Sequence, residues 1–181
     1  APIEQGLGGV SLSANWMWPC RNQGEDARLY TAVKAVSDFA IELGVNIPTG
    51  KDSLSMTQKY PDGKTVMSPG SVIISTVGEV TDIRKVISPV LKESFTSSII
   101  YIDFGNGAFN LGGSSFAQVM NKLGGDTAEV KDAAYFRSCF EAVQELIQKE
   151  VVLAGHDISA GGFITTLLEM TFSHNNLGMD I

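Results

Sequence analysis

The stretch from Glu25 to Leu43 places Leu29, Val33, Val36, Ala40 and Leu43 on one helical stripe. Glu25 and Asp26 favour the start of such a helix electrostatically, and Gly44 stands where a helix closes on a left-handed residue. An apolar stripe of this length must cover another layer, and the flanking sequence offers strand-like material for it. Val45 to Ile47 reads as a short strand and Ser71 to Val80 as a longer one rich in Val, Ile and Thr. Between them, Tyr60 to Lys64 reads as a Pro-Asp-Gly turn. Trp16 and Trp18 read as packing anchors rather than a base-stacking platform, because no basic residues interleave with them.

From Thr81 to Thr96 the pattern weakens around Pro89, and a domain junction is expected near residue 82. Beyond it the sequence reads as an apolar strand from Ser98 to Phe104, a Gly-rich loop and a helix over Ser114 to Leu123. A helix over Asp132 to Lys149 follows, with Phe136, Phe140, Val143 and Ile147 on the stripe expected of a helix laid on a sheet. Next come a strand at Val151 to Ala154, a loop and a helix over Gly162 to Ser173. The fold class expected is mixed α/β in layers. The chain starts at Ala1 without Met and closes at Ile181 in what reads as a new strand, so both ends read as cut.

Charge narrows the function. A net charge of -7 without any Lys/Arg run excludes a nucleic-acid binder, whose ligand needs a basic patch. Anionic small ligands remain open, given a bound cation, helix N-termini or a few placed lysines. Cys20 and Cys139 lie far apart without metal-ligand spacing, which points to neither a disulfide framework nor zinc and favours a reducing cytoplasm. The longest apolar runs fall well short of the roughly 20 residues that span a bilayer, so no membrane partner is expected.

Three segments could carry chemistry. In PTGKDSLSM, Pro48 to Met56, a Gly followed by Lys51, Asp52 and Ser53 offers close backbone approach, a cation, an acid and a hydroxyl. It is not a P-loop, because Gly44 is one residue too far from Gly50 and Asp52 stands where Ser or Thr should meet magnesium; a Gly turn before a polar strand is the plainer reading. In GHDISAGGF, Gly155 to Phe163, Asp157, Ser159 and paired glycines enter a helix, where a cation and phosphates could meet free backbone N–H groups. The alternative makes Asp157 or Ser159 a helix cap. His156 reads as a hydrogen-bonded structural residue, and His174 has no partner the sequence can name. FGNGAFNLGGSS, Phe104 to Ser115, is either a phosphate-facing loop or a tight structural turn, since G-x-G-x-x-G is not satisfied.

Taken in order, LSANWMWPC at 12–20, GEDARLYTAVKAVSDFAIELGVNIPTGKDSLSM at 24–56, LGGSSFAQV at 111–119 and GHDISAGG at 155–162 resemble the large, single-chain phosphoribosylformylglycinamidine synthases. The HD-x-S-x-GG element is shared with the wider aminoimidazole ribonucleotide synthetase superfamily. The resemblance implies an internal piece of the synthetase region, with residues 1–82 the later part of an N-terminal-type domain and residues 83–181 a truncated C-terminal-type α/β domain. It implies a parent that is a carbon-nitrogen ligase of purine biosynthesis. That enzyme converts formylglycinamide ribonucleotide, ATP and glutamine to the amidine, using ammonia from a glutaminase domain of the same chain.

Carried over by motif, Asp157 matches a magnesium ligand and Ser159 a nucleotide contact of an auxiliary ATP/ADP site. Gly50, Lys51, Asp52 and Ser53 match the segment that faces substrate. Ile158 and Ala160 replace the Arg and second Asp of the family's HDRSDGG, so no second acid is carried over. The remaining magnesium ligands are expected upstream of Ala1, and no catalytic residue is assigned. The piece alone is therefore expected to be inactive, either as part of the catalytic centre or as a structural ADP/magnesium module. Uncovered strand edges and apolar surface would favour its self-association.

Overall fold

The computed structural model describes residues 1–94, 96–173 and 176–181. The chain divides into two compact units, Ile3–Glu79 and a second made of Ala1–Pro2 with Val80–Ile181.

In the first unit, β1 (Val10–Met17), helix α1 (Glu25–Leu43) and β2 (Asn46–Ser53) form a strand-helix-strand crossover. Such a connection lets two strands run parallel, and β1 pairs β2 in that sense. The last strand, β5 (Ser71–Gly78), pairs β1 antiparallel on its other side, giving the order β2-β1-β5. Between them β3 (Thr57–Lys59) and β4 (Thr65–Met67) make a hairpin whose turn carries Gly63 at φ 84°. The helix has the bounds its stripe predicts, and Gly44 closes it at φ 68° with its N–H donating to the Ile41 carbonyl.

The sequence reading missed β1. Its signal is alternation, with Val10, Leu12, Ala14 and Trp16 two residues apart, and Val10 and Ala14 are buried. Trp18 is also buried, as expected of an anchor, with the Arg28 guanidinium 5.9 Å from its ring centroid.

The second unit holds a 3₁₀ turn at Ile83–Lys85, then α2 (Ser115–Val119), α3 (Ala133–Gln148) and α4 (Gly162–Thr171). Asp132 caps α3, its Oδ1 accepting from the N–H groups of Ala134 and Tyr135 at 2.9 and 3.0 Å. At the other end of α3 the Lys85 ammonium donates to the Gln148 carbonyl at 2.7 Å. Phe104 meets Phe136 edge-on with centroids 4.9 Å apart, and Cys139, Ile147 and Leu167 are buried.

The strands expected at 98–104 and 151–154 do not form, nor does the one expected around Ile181. β-propensity is realised only against a paired strand, and these segments pair with none among the described residues. Ile100 is left 74% exposed as a result. The helix expected over Ser114 to Leu123 is only one turn long, because Met120 closes it and Asn121 turns left-handed at φ 53°. Helices and sheets together make the chain mixed α/β, as expected.

Candidate functional site

The 48–56 segment is no turn. Gly50 to Ser53 continue β2 in unbroken register with Ala14 to Met17 of β1. Gly50 is required by close approach, since a Cβ there would lie 2.1 Å from the Ala14 carbonyl oxygen. The period of two puts Lys51 and Ser53 on one face of this edge strand and Asp52 on the other. The Lys51 ammonium donates to Ser53 Oγ at 2.6 Å, so the cation and hydroxyl are brought together while the acid is turned away. An open hollow of about 440 Å³ between α1 and the sheet is lined by Trp16, Val33, Val36, Ile41 and Ile47 among others and by no charged side chain. It contains none of residues 50–53, and its lining suits apolar packing rather than a phosphate.

In the second unit the Gly-rich loop is closed by its own carboxylate. Asp103 accepts from Gly105 N–H at 2.8 Å and from Gly107 N–H at 2.5 Å, while Ser114 Oγ accepts from Ala117 N–H at 3.2 Å to cap α2. Three amides that a phosphate could use are thereby engaged, which favours the structural turn over a phosphate-facing loop.

The loop entering α4 is arranged differently. The cap position of α4 is Gly161, with no side-chain hydrogen bond to the first turn, so neither Asp157 nor Ser159 is a helix cap. Ser159 is exposed, and only its main-chain carbonyl is engaged, accepting from Gly162 N–H at 2.9 Å. The Asp157 carboxylate is 87% exposed, with His156 Nδ1 3.4 Å from its Oδ1. The other His156 nitrogen, Nε2, lies 3.2 Å from Glu169 Oε2 on α4. His156 is thus the hydrogen-bonded residue expected, whereas His174 lies outside the described residues.

No group of three or more His, Cys, Asp or Glu side chains able to hold a metal occurs among the described residues. An all-protein metal cage is therefore absent there. Magnesium more often takes one or two carboxylates together with substrate phosphates and waters, and an exposed carboxylate on the loop entering a helix that has no side-chain cap fits that mode.

A family model described as the FGAR-AT PurM_N-like domain matches residues 1–79, and one described as the AIR synthase related protein, C-terminal domain, matches residues 104–181. A probable phosphoribosylformylglycinamidine synthase, chloroplastic/mitochondrial, of Arabidopsis thaliana is 42% identical over 170 residues. The chain belongs to the phosphoribosylformylglycinamidine synthase family. The alignment covers 93% of this chain but 12% of that relative, so the chain spans about an eighth of the relative's length. No helix among the described residues is long and apolar enough to cross a membrane.

Proposed function

We propose that this member of the phosphoribosylformylglycinamidine synthase family is part of the synthetase region of a purine-biosynthetic ligase. The complete enzyme would join ammonia derived from glutamine to formylglycinamide ribonucleotide at the expense of ATP, acting with the rest of the synthetase and a glutaminase domain. The single observation that best supports a nucleotide role for this piece is the uncapped start of α4 beside the exposed Asp157 carboxylate. In this reading Asp157 meets a magnesium ion carried by ATP or ADP, which neutralises phosphate charge, and Ser159 contacts the nucleotide.

Gly50 to Ser53 are the substrate-facing edge, with Ser53 the contact and Lys51 holding its hydroxyl in place. Charge neutralisation and alignment are what phosphoryl transfer demands, and both segments serve those ends. A second reading treats the α4 loop as a structural ADP/magnesium module. The free cysteines Cys20 and Cys139 favour a reducing compartment, the cytoplasm in our reading. Exposed Ile73 and Val77 on β5 favour self-association of the isolated chain.

The complete synthase carrying Ser53→Ala or Asp157→Asn separates the two readings. Turnover that falls in Ser53→Ala supports the catalytic edge; Asp157→Asn lowering thermal stability more than turnover supports the structural module. Unchanged turnover and stability in both variants would contradict the proposal.

A further inference from the structure

Asp157 is held by its main chain rather than by its carboxylate. The Thr166 hydroxyl donates to the Asp157 carbonyl oxygen at 3.3 Å and shares its proton with the Gly162 carbonyl at 3.2 Å. The same Asp157 oxygen lies 2.8 Å from His156 Nδ1. His156 in turn reaches Glu169 through Nε2 at 3.2 Å. Thr166 and Glu169 are three residues apart on α4 and so share a face of that helix. Two side chains of one helix face thus converge, one directly and one through an imidazole, on a single carbonyl.

We propose that Thr166, Glu169 and His156 are positioning residues that aim the Asp157 carboxylate at a nucleotide-borne divalent cation. At 4% exposure Thr166 is the one buried polar side chain among the described residues. A hydroxyl there carries a desolvation cost that a Val of the same shape would not, and its bond to a loop carbonyl offsets that cost. The His156 side chain, 17% exposed, links the loop to Glu169 on α4, while the Asp157 carboxylate is 87% exposed. Outer residues that orient a metal ligand act through such fixed contacts, here mainly on the main chain, with His156 Nδ1 also 3.4 Å from Asp157 Oδ1. The inference rests on the reading of Asp157 as the cation-facing carboxylate.

The test uses the chain with manganese(II) and ADP as the probe, following bound manganese by its electron-spin resonance signal. Amide hydrogen exchange over residues 158–162 is followed in parallel. Thr166→Val and Glu169→Leu are each expected to weaken manganese binding about tenfold and to speed exchange of those amides. Thr166→Ser and Glu169→Gln, which keep a hydroxyl and an acceptor, are expected to restore both, a rescue that general damage to the core would not give. Glu169 is 39% exposed, so its variants report even if Thr166→Val does not fold. Unchanged affinity and unchanged exchange in Glu169→Leu would overturn the proposal. Faster exchange in Glu169→Leu alongside an Asp157→Asn variant that binds as well as the parent would uphold the tether and overturn the cation-facing role of Asp157.

Discussion

Gly50 on β2 faces the Ala14 carbonyl of β1 so closely that a methyl group at Gly50 would sit 2.1 Å from that oxygen. The neighbour is backbone, which yields only by displacing the strand. Gly50→Ala should therefore destabilise the chain by about 1–3 kcal/mol. A urea titration with unchanged slope and a lowered midpoint is the expected result, and an unchanged midpoint would mean that β2 stands further from β1.

Asp82 gives a pH signature. Its carboxylate accepts from the Arg84 guanidinium at 2.9 and 2.8 Å and from the Arg84 main-chain N–H at 2.9 Å. These bonds lower its pKa from 3.8 to about 2. Because the folded value is the lower one, the stabilisation is fully present above about pH 4 and is lost as pH falls toward 2. Carbon-13 shifts of the Asp82 carboxyl should titrate near pH 2, and near the ordinary value in an Arg84→Ala variant.

The capping of α3 predicts a local cost. Replacing Asp132 by Ala removes the acceptor for two N–H groups and should lower stability by about 1 kcal/mol. Asn at the same position should retain most of it. Thermal unfolding of the two variants side by side reads the difference.

The closed Gly-rich loop makes a further prediction. Asp103→Ala frees the Gly105 and Gly107 amides, so their hydrogen exchange should accelerate while that of α4 stays unchanged. Unaltered exchange at Gly105 and Gly107 would show that other groups close the loop.

What the sequence made legible follows the range of the forces involved. Helices α1 and α3 were readable because each carries its apolar stripe and one local end signal, Gly44 at the close of α1 and Asp132 at the start of α3. β1 was readable in principle, because Val10, Leu12, Ala14 and Trp16 alternate with Ser11, Ser13 and Asn15. Gly50 misleads as a turn residue because its reason is a neighbouring strand, which no local pattern encodes. Residues 98–104 mislead in the opposite direction, since their apolar run promises a ladder that needs a partner. At the candidate site the motif names Asp157 and Ser159. The grip of Thr166, Glu169 and His156 on the Asp157 carbonyl depends on how α4 folds back on its own entry loop, and that is visible only in three dimensions.

The most direct measurement is a calorimetric titration of the chain with ADP and magnesium, run beside Asp157→Asn under the same conditions. Binding by the parent that is lost in Asp157→Asn is the predicted result. Absence of binding by the parent, or binding that survives in Asp157→Asn, would contradict the assignment of the α4 entry loop as a nucleotide site.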